Sequence, residues 1–394
     1  MCGIVGYLPG KTEQNHEEII QNMMETITHR GPNSGGYHVA DGAVLGFRRL
    51  TIIDLTDNGN QPLFDETGRY TLTFNGEIYN FKEIRAELEQ KGYHFKSNTD
   101  SEVLVHGYAE WKEGILDKVR GMFAFAIWDA KEESLFLARD MFGIKPLYYG
   151  KASNDGTFFY GSEIKSFLPH PSFVKEVNNN AVLPYLTFQY PVTNETFFKN
   201  IYKLEPGTWL RVSKDGHMER KRYWDFSFDA TDESLESYME QITDCLKESV
   251  AAHKIADVPV GAFLSGGIDS SFITALFKPE NTFSVGFKEA DERFNETDQA
   301  RRLSEILGFN HHVRLIGAEE FFGALPTIQY HLDEPQSNLS TVPLYFLAQL
   351  ASEHVTVVLS GEGADELFGG YESYMRTPHL QKYDKIAPQG MRRS

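Results

Sequence analysis

Through the first half of the chain, apolar and β-branched positions gather in short runs bounded by Gly, Asn and Asp. Runs of this kind predict β-strands. The runs are Gly3 to Tyr7, Ala43 to Leu50, Tyr70 to Phe74, Phe123 to Asp129, Ser134 to Arg139 and Phe158 to Ser162. Two stretches follow a helical period instead: Glu17 to Thr28, and Phe81 to Lys91, where Ile84 and Leu88 share one face. Many strands with few helices predict stacked sheets flanked by helices.

Near Asn178-Asn179-Asn180 the chain passes into a zone holding Pro184, Pro191 and Pro206, followed by the polar stretch Ser227 to Ser234. This zone reads as the passage between two domains, with boundaries at 2–210, a linker over 211–233, and a second domain over 234–394. The second domain opens with a helix from Ser234 to Lys254 and then changes style. Strands at Val258 to Leu264, Thr282 to Phe287, His312 to Ile316 and Val355 to Leu359 alternate with helices at Ser271 to Phe277 and Thr297 to Leu307. Alternation of this kind predicts βαβ units and a doubly wound parallel sheet.

Composition narrows the classes of function. Of 394 residues, 41% are hydrophobic and 24% charged, as in folded globular chains, and the formal charge is −18. Nucleic acids and anionic membranes are held by clustered Lys and Arg, so neither is an expected partner, although a nucleotide needs only a local pocket. Apolar runs such as Met122 to Trp128 are far too short to cross a bilayer, and the amino terminus lacks the basic flank and apolar run of a secretory signal. A cytoplasmic address is the expectation. The two cysteines exclude a disulfide framework or a four-cysteine zinc site. Cys245 falls on the apolar pattern of the Ser234 to Lys254 helix and is expected in a core. The adjacent His311 and His312 should point to opposite faces of a strand, which argues against a shared metal.

Cys2 carries more chemistry. It follows Met1 directly, and removal of Met1 would place a thiol and a free α-amine on one residue. An α-amine has a pKa near ~8, so it can act as general base beside the thiol at neutral pH. Around it stand Cys2-Gly3-Ile4-Val5-Gly6, His29-Arg30-Gly31-Pro32-Asn33, Arg49-Leu50-Thr51-Ile52-Ile53-Asp54, Asn75-Gly76-Glu77-Ile78-Tyr79-Asn80, Asn98-Thr99-Asp100-Ser101-Glu102 and Arg139-Asp140. In this order the motifs resemble the class II glutamine amidotransferases, which are N-terminal-nucleophile hydrolases, and the resemblance implies stacked antiparallel sheets in an αββα arrangement. The resemblance implies Cys2 as nucleophile and Asn75 and Gly76 as oxyanion donors. Glutamine would be bound by Arg49, Leu50, Thr51, Ile52, Ile53, Asn75, Gly76, Glu77 and Asp100. A guanidinium at Arg49 suits the substrate α-carboxylate, and a carboxylate at Asp100 suits its α-ammonium. His29 and Arg30 are assigned to structure near the site.

In the second domain, Val258 to Leu264 runs into Ser265-Gly266-Gly267-Ile268-Asp269-Ser270-Ser271 and a helix. Glycines after a strand let backbone N–H groups close around phosphate, and the helix N-terminus adds its positive end. No Gly-Lys-Ser/Thr ending follows, so this is not the kinase-type phosphate loop. It resembles the loop of ATP pyrophosphatases. Leu359-Ser360-Gly361-Glu362-Gly363-Ala364-Asp365-Glu366-Leu367-Phe368-Gly369-Gly370-Tyr371 resembles a motif of the asparagine synthetases. That resemblance implies ATP held by Leu264, Ser265, Gly266, Gly267, Asp269, Ser270, Val285, Ser360 and Gly361, with Mg²⁺ on Asp269 and Asp365 and catalysis by Glu362.

Both halves together resemble glutamine-dependent asparagine synthetases. The expected substrates are glutamine, aspartate and ATP, with ammonia passing inside the protein, and a homodimer is compatible. The acceptor should bind between Asp333-Glu334-Pro335 and Thr341-Val342-Pro343. Leu339 stands where some members carry an arginine, which leaves another carboxylate acceptor open. Members of the family continue past the point where this sequence ends, at Ser394, so the sequence as given is expected to hydrolyse glutamine and to make little asparagine.

Overall fold

A computed structural model of the chain describes all residues except 12–14, 229–230, 290–294, 372–373, 375–381, 384–385 and 387–394. The chain divides into two units, Met1–Pro259 with Glu319–Tyr345, and Val260–Ala318 with Phe346–Ser394.

The first unit holds β1 (Gly3–Leu8), β2 (Ser34–Ala40), β3 (Ala43–Arg49), β4 (Leu63–Phe64), β5 (Tyr70–Ile78), β6 (Gly121–Asp129), β7 (Ser134–Arg139), β8 (Tyr148–Lys151), β9 (Phe158–Gly161), β10 (Ile201–Lys203), β11 (Thr208–Ser213) and β12 (Met218–Arg222). They form two six-stranded sheets, ordered β10-β8-β9-β1-β3-β2 and β12-β11-β7-β6-β5-β4. The named neighbours in both sheets pair antiparallel.

Three cores stack these sheets into four layers. Ile19, Ile20, Met23 and Met24 of α1 (His16–Glu25) cover Val5, Tyr7, Val44 and Phe159 on one sheet's outer face. Ile4, Leu45 and Phe47 of that sheet meet Ala124, Ala126, Trp128, Leu135 and Leu137 of the other between the layers. Leu72, Phe74, Phe123 and Phe125 then bury against α2 (Phe81–Gln90) and α3 (Glu102–Trp111) on the far side. Alternation sorts each strand: Phe123 and Phe125 face the helices, whereas Ala124 and Ala126 face the opposite sheet. This is the αββα arrangement expected for the amino-terminal domain.

Residues 211–233, expected as a linker, instead include most of β11 and all of β12, which extend the second sheet to Arg222. Every residue of β12 is exposed, so no apolar alternation marks it. Next come α4 (Asn179–Phe188), earlier in the chain, and α5 (Leu235–Ala252). Cys245 is exposed, contrary to its expected place in a core. The periodicity of α5 marks an apolar face, but only Val250 of that helix is buried.

The second unit follows its predicted alternation: β13 (Val260–Phe263), α6 (Ile268–Phe277), β14 (Asn281–Phe287), α7 (Thr297–Leu307) and β15 (Asn310–Ile316). After α8 (Ala318–Leu332), nearly all of which belongs to the first unit, and α9 (Thr341–Ser352), which is divided between the units after Tyr345, come β16 (Val357–Leu359) and α10 (Ala364–Phe368) of the second unit. The four strands are parallel in the order β15-β14-β13-β16, with Phe283, Ala351 and Val355 at the core. Strand order reverses between β13 and β16, and ligands of open α/β sheets bind beyond the carboxyl ends of strands at such a point.

Candidate active sites

Cys2 sits just before β1, and its Sγ lies 3.4 Å from the Leu50 backbone N–H that donates to it. Arg30 Nε donates to the Cys2 carbonyl at 2.9 Å, and its Nη1 donates to Glu163 at 2.8 Å. His29 Nε2 meets the same Glu163 oxygen at 2.9 Å. Arg30 thus holds the backbone of the cysteine, and His29 meets the Glu163 carboxylate that holds Arg30. Burial would raise Glu163, but His29, Arg30 and Lys165 together hold it down to about 2.

On β5, residues of odd number share the face turned to the opposite sheet, because Asn75 pairs with Ala124 and Leu72 and Phe74 face the helices. Asn75 and Glu77 thus point between the layers, toward the sheet whose strand β1 follows Cys2. Asn75 is 1% exposed and its Nδ2 has no hydrogen-bond partner among the described residues. A buried amide donor without an acceptor costs about 1–3 kcal/mol, so it is a donor kept for something else. Asp100 Oδ2 accepts the Ile78 N–H at 2.8 Å at the end of the same strand. Burial, reinforced by the charge of Glu77, pushes Asp100 up to about 7. Burial likewise raises the Cys2 thiol and the Glu77 carboxyl. The amine of Met1, packed although its side chain is half exposed, is lowered by burial to about 6.

Arg49 is buried and heavily bonded. Its Nη1 donates to Thr56 O at 2.8 Å and Asn60 Oδ1 at 3.0 Å, and its Nη2 to Ile53 O at 3.3 Å and Asp54 O at 2.5 Å. The guanidinium thereby shapes the loop that carries Leu50, Thr51, Ile52 and Ile53. Asp257, which sequence reasoning missed, holds the same loop: its N–H donates to Ile52 O at 2.9 Å, and its Oδ2 accepts the Asp54 N–H at 2.8 Å. Lys145, also missed, is buried at 5% exposure. Its signal was the Arg139-Asp140 motif that precedes it.

In the second unit, Ser265, Gly266 and Gly267 link β13 to α6. Gly266 has φ +89°, and a Cβ there would stand 2.8 Å from Gln299 Cβ. Ser270 Oγ accepts the Ser265 N–H at 3.2 Å, and Ser265 Oγ accepts the Gly267 N–H at 3.2 Å, which closes the loop over the first turn of the helix. Leu264 N–H donates to Phe283 O at 2.9 Å, tying the loop to β14, which also bears Val285. Gly361 follows β16 so closely beside this turn that a Cβ on it would lie 2.9 Å from Ser270 N and 3.2 Å from Asp269 Cβ. The Ser360-Gly361-Glu362 segment and Asp269 are thus brought together at the reversal of strand order. Asp269 and Glu362 are exposed, and Asp365 is half-buried in the first turn of α10.

Two other expectations meet different surroundings. Asp333 pairs with Lys165 Nζ at 2.9 Å and accepts the Ile164 N–H at 2.6 Å, while Glu334 pairs with Lys203 at 2.7 Å and accepts the Phe197 N–H at 3.0 Å. These carboxylates are engaged by the protein, whereas Leu339 is 55% exposed. His311 Nδ1 meets Thr282 Oγ1 at 2.9 Å and His312 Nε2 meets Asn281 Oδ1 at 3.0 Å, both on β14.

Comparison with known proteins matches residues 1–224 to the glutamine amidotransferase domain and residues 241–394 to asparagine synthase. Asparagine synthetase [glutamine-hydrolyzing] 1 of Bacillus subtilis is 42% identical across the whole chain. A Methanocaldococcus jannaschii protein, provisionally named glutamine-hydrolysing asparagine synthetase 2, is 32% identical over 98% of this chain and 79% of its own length. The chain belongs to the glutamine-hydrolysing asparagine synthetase family. It spans 62% of the length of the Bacillus subtilis relative. A further Bacillus subtilis member of the family, numbered 3, is 33% identical over 94% of this chain and 63% of its own length. Family membership accounts for the pairing of an αββα unit with a parallel-sheet unit in one chain. No described helix is long and apolar enough to cross a membrane.

Proposed function

We propose that the protein is a glutamine-hydrolysing asparagine synthetase. With Met1 removed, the Cys2 amine takes the thiol proton and sulfur attacks the glutamine δ-carbonyl. Asn75 Nδ2 and the Gly76 N–H receive the oxyanion, ammonia leaves with a proton, and water hydrolyses the thioester to glutamate. Asp100 anchors the substrate α-ammonium, and the loop shaped by Arg49 encloses the α-carboxylate end.

At the second site an aspartate side-chain oxygen attacks the α-phosphorus of ATP, and pyrophosphate departs. The Ser265 to Gly267 loop and the start of α6 receive the phosphates, and Leu264, Val285, Ser360 and Gly361 face the adenosine. Ammonia then attacks the acyl carbon, Glu362 takes a proton, and AMP leaves. Two carboxylates with phosphate oxygens suit Mg²⁺, and Asp269 and Asp365 have that donor chemistry. The ion would neutralise phosphate charge there. A cytoplasmic address and a homodimer fit the reading, with one domain ending near Trp224 and the next starting near Gln241.

The observation that carries the reading is the buried, unpartnered Asn75 amide on the face turned toward Cys2. A diazo-ketone glutamine analogue should label Cys2 in protein whose mass shows Met1 removed, and Cys2→Ala should abolish glutamate release. Labelling at Cys245 would overturn the assignment.

A further inference from the structure

The connection from β7 to β8 is fixed more firmly than a surface loop requires. Asp140 Oδ1 accepts the Phe142 N–H at 3.1 Å and the Ile144 N–H at 2.9 Å, and Oδ2 accepts the Lys145 N–H at 2.9 Å and the Phe123 N–H at 3.1 Å. Arg139 Nε donates to the Lys145 carbonyl at 2.8 Å, and Nη2 donates to Gly143 O at 2.7 Å. Both peptide groups flanking Lys145 are thus held, although Phe142 and Ile144 are more than half exposed. The side chain so placed is buried, and its ammonium meets Met1 Sδ at 3.3 Å, its one polar side-chain contact among the described residues. A thioether is a weak acceptor, and a buried cation with so little compensation is costly. Loss of Met1 removes even that contact.

We propose that Lys145 is a positioning residue of the amidase site, whose ammonium faces the amino-terminal residue and electrostatically activates the Cys2 nucleophile. The inference rests on the reading of Cys2 as the amidase nucleophile. A nearby cation favours thiolate over thiol and free amine over ammonium, the two states that attack on glutamine requires. The other charged groups around the terminus are Glu77 and Asp100 on the acidic side, and Arg30 and Arg49 on the basic side, with Asp140 behind the lysine. Burial raises the thiol and Glu77 and lowers the lysine, while Lys145 opposes the first two shifts. Without Lys145, Glu77 and Asp100 would face the thiol with less opposition, and both disfavour its ionisation.

The test is the pH dependence of Cys2 labelling by the diazo-ketone glutamine analogue, in processed protein carrying Lys145→Gln or Lys145→Arg. The Gln variant should shift the midpoint upward by about one pH unit, with labelling at pH 7 about tenfold slower, and the Arg variant should keep the wild-type midpoint. A folded Gln variant with an unchanged midpoint and only a lower amplitude would mean that Lys145 is structural, which overturns the proposal. If the Gln variant does not fold, the Arg variant decides, since a shifted midpoint with the charge retained is equally fatal. Wild-type labelling elsewhere than Cys2 would instead sink the amidase reading, and this inference with it.

Discussion

Asp100 shows how one residue's surroundings set a measurable property of the site. Its carboxyl, pushed up to about 7 chiefly by burial, is largely protonated in the free protein below that pH. An α-ammonium beside it would restore the usual preference for the charged form, so glutamine binding must expel a proton at lower pH. In Cys2→Ala protein, which binds without turnover, calorimetry in buffers of different ionisation enthalpy should show proton release at pH 6 that fades by pH 8. Asp100→Asn should abolish the release and weaken binding at least tenfold; equal release in both proteins would remove Asp100 from the ammonium site. Cys2, Asn75 and Asp100 were legible in the sequence because each stands in a motif of distinctive residue types. Glu163 was not, since a buried ion partner leaves no periodic mark and is recognised only by what it touches, and Lys145 was signalled only by the Arg139-Asp140 motif before it.

The loop between β3 and β4 makes the corresponding point for elements. Arg49 was expected to take the substrate α-carboxylate, yet four acceptors from Ile53 to Asn60 occupy its Nη atoms. Arg49 therefore shapes the loop, as Asp257 does. Asp257→Ala removes the acceptor for the Asp54 N–H, a bond of about 1 kcal/mol net, and more if that donor stays buried. We expect the KM for glutamine to rise about five- to tenfold with kcat changed less than twofold, and Asp257→Asn, which retains an oxygen acceptor, to lie between. Unchanged KM in the Ala variant would show that the loop holds its form without Asp257. The strands were readable as short apolar runs between turn residues, because the central ones are buried on both faces. The helix α3 was not, since Glu102 through Tyr108 are all buried and no polar face interrupts them.

For the whole molecule, the two sets of functional residues lie in different units. Cys2, Asn75, Gly76 and Asp100 stand on an αββα scaffold held by its own layered cores, while Ser265 to Ser270, Ser360 and Glu362 stand at the end of a parallel sheet with a separate core. A change in one set that leaves its backbone intact should spare the chemistry of the other. Asp269 is exposed in the first turn of α6, and Asn conserves its size, so Asp269→Asn should not disturb folding. It removes one of two carboxylates proposed to hold Mg²⁺ against the phosphates, and loss of one such electrostatic group costs about 3–4 kcal/mol in a transition state. Pyrophosphate release should therefore fall at least a hundredfold, while glutamate release without ATP stays within twofold of wild type. Cys2→Ala should do the reverse, abolishing glutamate release but leaving pyrophosphate release intact when ammonia is supplied. If Asp269→Asn depressed glutamate release as severely as pyrophosphate release, that carboxylate would be supporting the amidase itself, and its assignment to the nucleotide site would fall.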